Sequence, residues 1–146
     1  MLFPIVTIQS IFIKLRSFHL SHNHETILAP IPFIDEVIIQ MHTPELCKQF
    51  LAGQHPRFTS YLLDASCGAG IDTPIEIVTS PGIHIGYAGG IGPDNVEGKL
   101  RTLLEHPTED KFWIDMETRV RTDEWFDLDK VEQVLNICDH ILKVNQ

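Results

Sequence analysis

The sequence predicts an α/β fold in which parallel strands alternate with helices. Two observations carry that expectation. Short apolar runs recur along the chain, each closed by glycine, proline or an acid and followed by a stretch with helix-start chemistry, the pattern of successive β-then-α units. The length, 146 residues with 43% hydrophobic and 21% charged, suits one folded domain but falls short of the roughly 200 residues of a closed eightfold β/α barrel.

Residues 1–15 are apolar and free of acids. Lys14 and Arg16 follow the apolar part instead of preceding it, and no small-residue cleavage site stands clear, so the segment reads as a strand on Val6, Ile8, Ile11 and Ile13 and not as a secretion signal. No run has the 18 or so apolar residues of a membrane span. His19, His22 and His24 precede Pro30 and Pro32; with no cysteine or carboxylate placed to complete a metal site, they read as a solvated loop. We expect residues 1–24 to be a leader holding one strand at most, and residues 25–146 to form the domain.

The first strand of that domain is 36–41 (EVIIQM), a continuous apolar run of the kind buried on both faces of a parallel sheet. Thr43, Pro44 and Glu45 then supply an N-cap oxygen, a proline at the first helical position and an acid in the first turn, and the helix is expected to end near Gly53. The second strand, 61–63 (YLL), runs into Asp64 and a small-residue loop ending at Gly70. The third, 83–88, enters Gly89-Gly90-Ile91-Gly92-Pro93, where Pro93 and Asp94 start a helix that runs to about Glu105 before Pro107. The fourth, 111–114, ends in Asp115, Met116 and Glu117. The last helix is capped by Asp127 and carries Leu128, Val131, Val134, Leu135, Cys138, Ile141 and Leu142 on one stripe.

Charge and cysteines narrow the function. Eleven Lys and Arg against 20 Asp and Glu give a net charge of -9, which disfavours nucleic acid and anionic membrane as partners. All the acids lie at or beyond Glu25. Cys47, Cys67 and Cys138 are odd in number with no CxxC, as expected of reduced thiols in a cytoplasmic protein.

Chemistry in parallel α/β folds gathers at the carboxyl ends of the strands, and here those ends carry Asp64, a glycine turn, and Asp115 with Glu117. Acids at strand ends need a partner or a use. For Glu117 an ion pair with Arg119 or Arg121 is the favoured reading. In the turn, Gly89, Gly90 and Gly92 let backbone amides approach an anion closely, and the helix that follows adds unpaired N–H groups and a positive dipole end, a combination suited to phosphate. A tight strand-to-helix turn without a ligand is the competing reading.

The run Tyr61-Leu62-Leu63-Asp64, the loop to Gly70, then Tyr87-Ala88-Gly89-Gly90-Ile91-Gly92-Pro93-Asp94-Asn95-Val96 and Ile114-Asp115 resembles the second half of phosphoribosylanthranilate isomerase. The match covers residues 36–143 and corresponds to strands five to eight of that family's barrel. It implies a half TIM (β/α) barrel, incomplete or diverged from the family. It further implies an Amadori rearrangement of a phosphoribosylamine, of the tryptophan-biosynthesis type, on a phosphorylated small-molecule substrate with no metal or organic cofactor.

Residue by residue, the resemblance makes Asp64 the general acid and places Gly89 and Gly90, with Gly92 beside them, at the substrate phosphate. Asp115 falls on the strand-eight aspartate that contacts substrate. The family's catalytic cysteine, in a Lys-Ile-Cys-Gly stretch, has no counterpart here. Its Ser-Ser-Gly phosphate segment is replaced by Glu117, Thr118 and Arg119, where Arg119 or Arg121 would have to offset the acid. Three readings follow: an isomerase-like enzyme, a non-catalytic phosphosugar-binding half-barrel, and an inactive truncated fragment. Exposed half-barrel edges would favour a homodimer.

Overall fold

The computed structural model describes residues 37–51, 59–79, 81–106 and 112–144. The expected leader at 1–24, the histidine cluster and Gly53, near which the first helix is expected to end, lie outside the described residues. The protein is an α/β fold: strands β1 (Val37–Met41), β2 (Thr59–Leu63), β3 (Ile85–Tyr87) and β4 (Phe112–Ile114) form one sheet in that order, and every neighbouring pair is parallel. Helix α1 (Pro44–Leu51) follows β1, α2 (Val96–Glu105) follows β3, and α3 (Leu128–Val144) follows β4 after a short antiparallel pair, β5 (Arg121–Thr122) with β6 (Trp125–Phe126).

The register sorts the side chains between two faces. Ile39, Tyr61, Ile85 and Phe112 form one cross-strand row and Met41, Leu63, Tyr87 and Ile114 the next. Both rows pack with helical side chains: Cys47 of α1 and Leu103 of α2 join the first core cluster, while Leu100, Val134, Cys138 and Ile141 of α2 and α3 close a second around Ile114. Each side chain fully buried there contributes about 1.5–3 kcal/mol. Because side chains alternate along a strand, the opposite face carries the row Gln40, Leu62, Gly86 and Trp113. Gly86 is required there, since a methyl group at its Cα would lie inside the Trp113 indole.

The helix starts follow the local chemistry. Thr43 precedes Pro44, the first residue of α1, and the Cys47 amide donates to the Thr43 carbonyl at 3.1 Å. Asp127 Oδ1 accepts from the amides of Asp129 and Lys130 at 3.1 and 3.2 Å, which caps α3. Helix α2 ends at Glu105 as expected but begins at Val96 and not at Pro93. The amides of both Asn95 and Val96 bond back to the Gly92 carbonyl, so Pro93 belongs to a tight turn ahead of the helix.

Two expectations need correction. The link from β2 to β3 has no helix among its described residues; Ile75, Ile77 and Val78 pack on the sheet in irregular form, and the Tyr87 hydroxyl donates to the Val78 carbonyl at 2.8 Å and accepts from its amide at 3.2 Å. The stripe of α3 is buried at Val134, Cys138 and Ile141, but Leu128 and Leu135 are exposed. Leu128 is the first residue of the helix, shortly after the exposed Trp125 and Phe126 in the chain. Among the described residues no helix is long and apolar enough to cross a membrane.

Candidate functional site

The carboxyl ends of the four strands open on one cavity of about 260 Å3. Gln40 enters from β1, Asp64 from the end of β2, Gly89, Gly90 and Ile91 from the turn after β3, and Asp115, Glu117, Thr118 and Arg119 from the segment after β4. The cavity therefore brings together Asp64, Gly89, Gly90, Asp115 and Arg119. Gly92, expected with them at the phosphate, is not among the lining residues, and its amide is taken by Asn95. The volume lies just under the range of about 300–1,000 Å3 usual for small-molecule sites.

Asp64 follows β2 directly, and its amide extends the ladder by donating to the Met41 carbonyl at 2.8 Å. Its side chain is buried and accepts four hydrogen bonds. Oδ2 takes Gln40 Nε2 at 2.6 Å and the Gly68 amide at 2.8 Å; Oδ1 takes the Ser66 hydroxyl at 2.7 Å and the Ser66 amide at 3.1 Å. Three of these donors belong to the loop just beyond the strand, so the carboxyl both faces the cavity and shapes its rim. The loop closes against the β4 side through Gly70, where a Cβ would come within 2.6 Å of Thr118 Cβ.

The glycine turn is held from both sides. Gly89 and Gly90 have φ of 108° and 62°, values that glycine alone adopts at little cost. A Cβ on Gly90 would lie 2.5 Å from the Ile71 carbonyl group, so segment 71–73 rests directly on the turn. Asn95 clamps the other end: its Oδ1 accepts the Gly92 amide at 2.9 Å and its Nδ2 donates to the Gly90 carbonyl at 2.9 Å. The Gly92 amide is thus occupied within the chain. Among the described residues the amides of Gly89, Gly90 and Ile91 have no acceptor.

A charged network surrounds the turn. Lys99 of α2, buried although cationic, lies 2.8 Å from Asp72 Oδ1 and also donates to the Thr73 carbonyl. The Lys99 hydrogen bond holds the Asp72 carboxyl below the usual carboxylate range, with Asn95 adding to the effect. Arg119 is ion-paired with Asp94 and has a second nitrogen 4.0 Å from Asp72. Glu117 pairs with Arg121 at 2.8 Å, the structural pairing favoured above.

None of the three cysteines lines the cavity. Cys47 and Cys138 are buried on the helix-covered side of the sheet, and Cys67 is exposed in the loop after Asp64. Burial pushes the Cys47 thiol up to about 11, and it raises Cys138 as well. Among the described residues no three His, Cys, Asp or Glu side chains are grouped to hold a metal ion.

Gln40 and Asn95 are site residues that the sequence reasoning passed over. Gln40 could have been found from strand alternation, which puts a polar side chain at the carboxyl end of β1 on the face opposite Ile39 and Met41. Lys99 and Asp72 carried no comparable signal, because their pairing links positions 27 apart in the chain. Comparison with protein-family models, with curated proteins and with solved structures found no match to this chain.

Proposed function

We propose that this protein is a half TIM (β/α) barrel related to strands five to eight of phosphoribosylanthranilate isomerase, acting in the cytoplasm on a phosphorylated ribosylamine. The supporting observation is the convergence of Asp64, Gly89, Gly90, Asp115 and Arg119 on one cavity at the strand ends. The substrate phosphate lies against the amides of Gly89, Gly90 and Ile91, which have no acceptor among the described residues and can donate to an anion. Asp64 gives its proton to the ribose ring oxygen as the C1–O bond breaks and the amine lone pair forms C1=N. A proton then leaves C2 to give a C1=C2 enolamine, and this tautomerises, losing the O2 proton and gaining a proton at C1, to the aminoketose.

Gln40 and the Ser66 hydroxyl can each accept as well as donate, so the shell around Asp64 can serve the carboxyl both before and after it releases its proton. With no thiol at the cavity, Asp115, the lining carboxylate at the end of β4, is assigned the C2 proton. The edges β1 and β4 are where a second copy would pair in this reading.

The absence of a cysteine from the cavity lining also favours a second reading, a phosphosugar binder without catalysis. One experiment separates them. In the isomerase reading, Asp64→Asn lowers turnover of phosphoribosylanthranilate by about 100- to 10,000-fold, the usual worth of general acid catalysis, while phosphate still raises the melting temperature. A wild-type protein stabilised by ribose 5-phosphate but without turnover supports the binder. Turnover unchanged by Asp64→Asn removes Asp64 from the mechanism.

A further inference from the structure

Arg119 is the single cation among the described residues lining the cavity, against the acids Asp64, Asp115 and Glu117. A phosphate dianion in such a lining needs that guanidinium, because acids nearby repel it and the backbone amides carry only partial charge. Yet Arg119 is already engaged. Its guanidinium is paired with Asp94 and lies 4.0 Å from Asp72, which Lys99 fixes in place at 2.8 Å.

The root of the arginine is set beside the glycine turn. A Cβ on Gly92 would come within 2.7 Å of Arg119 Cβ, 3.4 Å of its Nε and 3.4 Å of Asp94 Oδ1, so the side chain runs along the turn and Asp94 holds its guanidinium there. Asp94 is 64% exposed, and exposed ion pairs of this kind are weak and easily exchanged. Arginine can bind phosphate through two parallel N–H donors as readily as it binds carboxylate.

We propose that Asp94 and Asp72 form a carboxylate clamp that occupies the Arg119 guanidinium at the rim of the glycine turn, and that a phosphomonoester ligand binds by drawing the arginine away from Asp94. This rests on the phosphate reading of the cavity. Asp94 is then a residue that sets phosphate affinity without touching the ligand. It keeps the resting cavity acidic and closed to free anions that cannot outcompete it.

Calorimetric titration with inorganic phosphate and with ribose 5-phosphate tests the clamp in the wild-type protein, Asp94→Asn, Arg119→Gln and the double variant. The clamp predicts binding roughly two- to fivefold tighter in Asp94→Asn, the order expected for releasing one surface charge pair. It also predicts weaker binding in Arg119→Gln and no gain in the double variant. A gain that persists in the double variant shows that lost acid repulsion, and not the freed arginine, is responsible, and overturns the clamp. Wild-type binding unchanged in Asp94→Asn overturns the clamp while leaving the phosphate reading intact. Absence of phosphate binding in the wild-type protein and in Asp94→Asn overturns both. Circular dichroism of Asp94→Asn, with Asp94→Ser as a second charge-removing variant, shows that the fold is kept.

Discussion

Asn95 and Lys99 stand one helical turn apart on α2, and each fixes a different side of the glycine turn. Asn95 binds the turn itself, through Gly90 and Gly92, while Lys99 binds segment 71–73, which lies on Gly90. The glycines thus have two physical reasons: positive φ and the close approach of another part of the chain. Only the first was legible in the sequence, because nothing local to Gly90 announces that Ile71 will pack on it. The three cysteines differ as sharply. With the Cys47 thiol pushed up to about 11, about one in a thousand would be ionised at pH 8 even if solvent reached it. Alkylation of the folded protein at that pH should modify Cys67 alone, with Cys47 and Cys138 reacting only after unfolding. Mass spectrometry of the modified peptides reads the result, and rapid labelling of Cys47 in the folded protein would contradict the burial described.

Among the elements, the link between β2 and β3 departs most from what the chain pattern suggests. Where a helix is the usual crossover between parallel strands, residues 71–78 lie across the sheet and are fastened at the Tyr87 hydroxyl and at Lys99. Tyr87→Phe removes a hydroxyl that both donates and accepts at Val78 and leaves that backbone pair buried without it. The expected cost is about 1–3 kcal/mol, measured by urea unfolding, and phosphate affinity should fall with it if the link steadies the turn. A variant as stable as wild type would show that this fastening contributes nothing. The helix starts were legible because Thr43-Pro44 and Asp127 act on neighbouring amides. The link was not, since its partners lie 9 and 26 residues away.

The described residues form a parallel sheet with helices packed on one face and a cavity at the carboxyl ends of its strands. The other face carries Gln40, Leu62 and Trp113 around Gly86. Charge follows the same division of roles: the chain is acidic overall at -9, and Arg119 is the one cation among the described residues lining the cavity. The convergence of Asp64, the glycine turn and Asp115 was legible from the strand pattern alone, because parallel strands put their carboxyl ends together. The acid clamp on Arg119 was not, because side-chain pairing across separate loops leaves no periodic trace. The central claim is that this cavity binds a phosphorylated sugar through the turn after β3. A titration of 15N-labelled protein with ribose 5-phosphate, followed by amide chemical shifts, tests it most directly. The account predicts saturable shifts largest at Gly89, Gly90 and Ile91, and either no saturable change there or a largest response elsewhere would contradict it.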